Sequence, residues 1–214
     1  MTAQVSVGER TTFSVTDFFV RYGVVLVGLL VAIVFSLVIP GFFSANNAVS
    51  ILQTQAVAAI AALGMTLTAV VGDLDLSVGA VAGLSVTVAA VVMVRFALTG
   101  GTAIVACLLA GLVVGCANAA MIVVLNVPPL LAALGTMFTV QGLKRWLVDG
   151  QTLITGMTLP NGQKVTGRFT DDFGAIDGNE VLGIPISVYL FALIAVLVWV
   201  FLERTRYGRV FYAV

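Results

Sequence analysis

Charge is missing from long stretches of this chain: 51 consecutive residues between Arg21 and Asp73, 48 between Arg95 and Lys144, and 22 between Glu180 and Glu203. A helix needs about 20 apolar residues to cross the hydrocarbon core of a bilayer. Each run is long enough for one crossing, and the first two for more than one. With 9% charged residues against roughly 25% in a soluble domain, the chain reads as all-α, a polytopic transmembrane helical bundle. Ten basic residues balance ten acidic ones, so net charge gives no reason to expect nucleic acid as a partner. There is no histidine, which removes imidazole acid–base chemistry and imidazole metal ligation. Cys107 and Cys116 fall in one apolar run at a spacing that fits no metal or redox motif, and read as small packing residues.

About six spans are expected. The first runs from Tyr22 to Ile39 and stops at the turn residues of "PGFFSANNA". The second covers Val49 to Val71, the third Leu76 to Val94, and the fourth Thr102 to Leu125. In "NVPP", Asn126 supplies an N-cap and a proline a first helical position, opening a fifth span that runs to Leu147. The sixth covers Ile184 to Leu202. The organisation is then a cytoplasmic tail over 1–21, spans one to five over 22–148 with an acidic break at 72–75, an extracytoplasmic loop over 149–183, a last span over 184–203, and a cytoplasmic segment over 204–214. Glu9 and Asp17 among the basic residues of the tail favour a retained anchor over a cleaved leader.

In the loop, "LITGMTLPNGQKVTGRF" alternates around Pro160-Asn161-Gly162 and reads as a small β-hairpin; "TDDFGAIDGNEVLG" reads as open loop. An even number of spans puts both ends on one side, and Arg10, Arg21, Arg204, Arg206 and Arg209 place that side in the cytoplasm. Arg95, Lys144, Arg145, Lys164 and Arg168 fall on the other side and run against the rule. Gly79 with Gly83, and Gly111 with Gly115, form GxxxG pairs that let helix backbones approach closely.

The most informative stretch is "VVGDLDLSVG", residues 70–79. A carboxylate at the centre of a lipid-facing helix costs on the order of 2.5–3.5 kcal/mol, so Asp73 and Asp75 should not face acyl chains. Residues 49–94 would be about 69 Å long as one helix, more than twice a core of about 30 Å. The segment must break, and Gly72 with the two acids is the place. Two roles fit Asp75: it caps the helix that begins at Leu76-Ser77-Val78, or it accepts hydrogen bonds from a hydroxylated solute in a wet, protein-lined path. Both can hold together.

"AALGMTLTAVVGDLDLSVGAVAGLS", residues 61–85, resembles the signature of the membrane permease subunits of ribose-, xylose- and arabinose-type ABC importers, in Gly72 and in Leu74-Asp75-Leu76-Ser77-Val78-Gly79. Asp73 stands where a second glycine is usual. "NVPPLLAALGTMFTVQGL" and "GIPISVYLFALIAVLVWVFLERTRYGRVFYAV" resemble two further stretches of that family, in the same order. Branched-chain amino-acid permeases are the second resemblance, without Asp-Leu-Ser-Val-Gly. Members usually continue about a hundred residues further, so the chain resembles the N-terminal two-thirds of such a subunit.

The resemblance implies a bacterial inner-membrane permease subunit that forms a translocation path for a ribose- or xylose-like monosaccharide. It also implies a separate cytoplasmic ATP-binding subunit, an extracytoplasmic sugar-binding protein and a second permease subunit, identical or not. No phosphate-binding loop occurs here, so ATP would be used by the partner, with no cofactor, metal or catalytic residue on this chain. Candidate path or break residues are Gly72, Asp73, Asp75, Ser77 and Gly79, with Gln53, Gln55, Asn118, Thr139 and Gln141 as polar groups at membrane depth. Helix–helix hydrogen bonding is the rival role for the last five. Arg204, Arg206 and Arg209, with Gly208, mark the side that would couple to the ATPase; headgroup anchoring is their alternative. An ion-driven transporter would show paired charges across several spans, which are missing here. A non-transporting remnant is the other rival.

Overall fold

A computed structural model describes residues 15–159, 162 and 164–211. Glu9 and Arg10 of the tail, and Pro160 and Asn161 of the expected hairpin turn, lie outside the described residues. The chain divides into two compact units, Met1–Ala48 and Val49–Val214.

In the first unit, α1 (Val15–Val38) is a 24-residue helix with no buried residue in its most apolar window. Its surface is that of a lipid-facing helix. Gly41, at φ 81°, turns the chain after it, and the Asn47 side-chain amide closes the corner by donating to the Phe42 carbonyl at 2.6 Å. The Asn47 backbone N–H donates to Ser44 Oγ at 3.2 Å, capping the start of α2 (Ala45–Val70).

The second unit is built around α3 (Val78–Ala90) and the π-helical turn Val91–Arg95 that continues it. α3 packs on α4 (Gly100–Val123) and α5 (Pro129–Leu147), which also touch each other. Ala80 and Leu84 of α3 meet Val140 of α5, flanked by Ala110 and Val114 of α4. A third of the window Val78–Arg95 is buried, far more than in any other apolar helix, which makes this the inner span. Small residues allow that position: a Cβ on Gly111 of α4 would lie 3.9 Å from a Val81 methyl, and Gly83 faces the Lys144 side chain of α5. At Gly79 and Gly115, the other halves of the two GxxxG pairs, an added Cβ would meet nothing within 4 Å.

Among the described residues, five helices are long and apolar enough to cross a membrane: α1, α2, α3 with its π turn, α4, and α7 (Ile186–Arg204). α5 is a sixth long helix of 19 residues that falls short on composition, because Gln141, Lys144 and Arg145 crowd its last two turns. The chain is a multi-pass membrane protein. Asn126 does not cap α5; it sits at φ 53° and closes α4, while Pro128 takes the N-cap place. Asparagine tolerates this left-handed backbone better than most residues.

The segment after α5 is more ordered than its composition suggests. A single antiparallel bridge, Thr158 with Lys164, stands where the hairpin was expected. Leu153, Leu159 and Val165 pack on Val91 and Val94 of the π turn. "TDDFGAIDG", read from sequence as open loop, contains the helix α6 (Asp171–Gly178), with Thr170 at the N-cap and two acids in its first turn to meet the helix dipole. A two-residue hairpin follows, β1 (Glu180–Val181) with β2 (Ile184–Pro185), joined through Leu182 and Gly183 at positive φ. After α7, Thr205 caps the short helix α8 (Arg206–Phe211) by accepting from the Gly208 N–H at 3.1 Å.

Two predictions follow from these contacts. A Cβ at Gly167 would collide with the Met93 and Val94 carbonyl oxygens, whereas one at Gly174 would meet nothing within 4 Å. Gly167→Ala should therefore cost about 1–3 kcal/mol by thermal unfolding in detergent, and Gly174→Ala far less. The Asp172 carboxyl is held below its ordinary 3.8, chiefly by the Thr170 hydroxyl; desolvation opposes this as the next largest effect, and backbone N–H groups, Gly101 among them, add smaller lowering contributions. Its contribution is complete above that ordinary value and is lost as pH falls through the lower folded one. Asp172→Asn should remove this part of the acid-side dependence of the unfolding midpoint.

Candidate functional site

The break between α2 and α3 is built from a few backbone bonds. The Asp73 N–H donates to the Thr68 carbonyl at 3.1 Å and the Gly72 N–H to Ala69 at 3.0 Å, with Gly72 at φ 90°. This is the Schellman ending of a helix, with glycine at the left-handed position. Only Gly72 needs that freedom in the turn, so the backbone accepts Asp73 without strain.

α3 is then started by Asp75. One of its carboxylate oxygens accepts the Ser77 N–H at 2.8 Å, while the Ser77 hydroxyl makes no cap of its own. Ser77 is buried. Among the described residues, the Asp73 carboxylate has no hydrogen-bond or ion-pair partner. Both carboxylates are half-buried, between the exposed side chains of Leu74 and Leu76.

The two acids line a cavity of about 470 Å³. Its other walls come from Thr68 and Val71 at the end of α2, Asn118 and Ile122 of α4, Ala133 of α5 and Phe211 of α8. Asn118 is buried, and its side-chain oxygen accepts the Thr136 hydroxyl of α5 at 3.2 Å. That bond fixes the amide and leaves its NH₂ as the donor end. The site thus pairs two acceptor-only carboxylates with one amide donor in a mostly apolar chamber, at the bundle end where α2, α4 and α7 finish and α5 begins. Such a set can hold the hydroxyls of a neutral solute through its edges and an apolar ring face through its walls.

The remaining polar candidates lie elsewhere. Gln53 reaches away from the cavity and donates to the Asp177 carbonyl of α6 at 2.8 Å. Gln55 is exposed on α2. The Thr139 hydroxyl returns to the Gly135 carbonyl of its own helix at 2.8 Å. Gln141 lines a separate polar cavity with Lys144 and Arg145 at the opposite end of α5. At the α7–α8 corner, Arg204 lies over the Trp199 ring at 5.5 Å. Gly208 is buried, and a Cβ there would strike the Leu202 carbonyl oxygen, so "RTRYGR" encodes a tight helical corner. That corner places Phe211 in the cavity wall, a long-range contact for which the sequence carries no local signal.

Among the described residues no group of His, Cys, Asp or Glu could hold a metal ion.

Comparison with known proteins gives a family model described as branched-chain amino acid transport system / permease component, which matches residues 47–214. The ribose import permease protein RbsC of Haemophilus influenzae is 29% identical over 205 residues, covering 96% of this chain and 60% of the relative. The autoinducer 2 import system permease protein LsrD of Enterobacter sp. is 37% identical over 150 residues, covering 70% and 43%. RbsC of Escherichia coli K12 is 32% identical over 189 residues, covering 88% and 56%. The chain therefore spans about half the length of these relatives. No solved structure matches.

The cap geometry carries its own test. Asp75→Ala should destabilise the protein by about 1 kcal/mol, read as a lowered unfolding midpoint in detergent. Asp75→Asn keeps an acceptor for the Ser77 N–H and should retain most of that stability.

Proposed function

The chain belongs to the branched-chain amino acid transport system / permease component family, and on that premise we propose that it lines the translocation path of an ATP-binding-cassette importer for a small hydroxylated solute of the monosaccharide class. It is a multi-pass protein of the inner membrane. The observation that carries the reading is the joining of Asp73, Asp75 and Asn118 in one cavity at an interruption between two spans. Carboxylates accept from sugar hydroxyls, and the amide donates back. Intramembrane ionisable groups mark solute or ion pathways more often than they serve packing.

In this mechanism the chain performs no bond chemistry and binds no cofactor. Solute is handed over by an extracytoplasmic binding protein, and ATP is turned over by a separate cytoplasmic subunit that engages the Arg204–Arg209 corner. A second permease subunit completes the path. Closure of the ATP-binding pair drives transport only to the extent that the cavity holds solute with different affinity in its two states. Asp75 has the double role of shaping the turn and presenting one oxygen, whereas Asp73 is free to meet solute. The names of the ribose and autoinducer 2 relatives support a hydroxylated cargo, and the Leu-Ser-Val-Gly sequence after Asp75 supports the sugar-type branch over the amino-acid one.

The test is uptake of radiolabelled ribose and xylose in cells that supply the ATP-binding and sugar-binding partners. Asp73→Asn should raise KM about tenfold, the scale of one lost hydrogen bond to a charged group, with insertion unchanged. Unaltered KM for Asp73→Asn, or uptake competed by leucine and not by sugars, would contradict the reading.

A further inference from the structure

We propose that the polar cavity of the bundle, between the last turns of α5 and the last turn of α3, binds a phosphate group, whether the headgroup of an anionic phospholipid or free inorganic phosphate. The proposal is independent of the transport reading. The cavity measures about 310 Å³ and is lined by Lys144, Arg145, Gln141, Gln151, Thr152 and Thr87, with no carboxylate in its wall. That is a donor-rich set with two positive charges.

Among the described residues neither charge is spent. The nearest acid in sequence, Asp149, is turned to Arg95, whose guanidinium lies 3.7 Å from its carboxylate and donates to the Leu147 carbonyl at 3.2 Å. Among the described residues, Lys144 and Arg145 have no ion pair. The bland role for cations at the end of a helix is to satisfy its last carbonyls. Those carbonyls are already taken: Arg145 by the Gly150 N–H, Trp146 by Asp149, Leu147 by Arg95 and Val148 by Gln151. Lys144 lies against α3. Its ammonium nitrogen lies 2.6 Å from where a Cβ of Gly83 would be, so the side chain reaches across to α3 over that glycine.

The level in the membrane fits a phosphate. Trp146 is exposed beside the two cations, and tryptophan next to basic residues at a helix end marks the headgroup layer. Lys supplies three donors and Arg a planar fork, which together suit tetrahedral phosphate better than a neutral solute.

The test uses the full chain, purified and placed in nanodiscs. One arm counts retained phosphatidylglycerol by native mass spectrometry in mixed phosphatidylglycerol–phosphatidylcholine discs. The other follows the unfolding midpoint as inorganic phosphate replaces chloride at constant ionic strength in pure phosphatidylcholine discs. Wild type should respond in at least one arm, and the arm that responds names the source. Lys144→Gln/Arg145→Gln should weaken the response about tenfold, while Arg168→Gln, a basic residue of the same end outside the cavity, should leave it intact. No response of the wild type in either arm overturns the proposal, and this does not depend on the variant folding. An equal response of wild type and the Lys144/Arg145 variant overturns it as well.

Discussion

Two carboxylates between membrane crossings cannot face acyl chains, and much of the second unit follows from how that constraint is met. The chain ends α2 with a glycine in the left-handed conformation and starts α3 by giving the Ser77 N–H a carboxylate acceptor. Asp75 is thereby both a charge that needs a polar partner and the partner that a helix start needs. With the turn fixed, α3 runs back through the bundle as its inner helix, against α4 and α5. The same turn places Asp73 in the lining of a chamber that Asn118 also lines.

The two ends of the bundle have opposite chemistry. At one, two acids and an amide face a largely apolar chamber. At the other, lysine, arginine, glutamines and threonines surround a smaller polar one. One basic residue on the far side that runs against the charge rule for orientation, Arg95, has structural work there. Arg95 ties the end of α5 to the π turn and pairs with Asp149, so it is not a topological signal. Charge counting reads Arg95 as free when it is bonded.

The sequence made the helices legible because uncharged length is a direct physical requirement of the bilayer. It also located the break, since 46 residues without interruption exceed any membrane. Which face of each helix meets protein was not legible. Lipid-facing and protein-facing side chains are both apolar here, so the periodicity that marks a soluble helix carries little information. The convergence of Asn118 with the acids, the closing of the wall by Phe211 and the diversion of Gln53 to Asp177 all depend on contacts distant in sequence. α6 was missed for a different reason: its acids suggest open loop, yet they sit in the first turn, where the dipole favours them.

The central claim is that positions 73 to 75 lie in a water-reached, protein-lined interruption and not in lipid. Single cysteines at 73 and 74, introduced after replacing Cys107 and Cys116, would measure this directly in membrane vesicles. A membrane-impermeant maleimide should label position 73, approaching from the same face that exposes α8, and acyl-chain bromolipids should fail to quench a fluorophore attached there. Strong quenching with no labelling from either face would contradict the account.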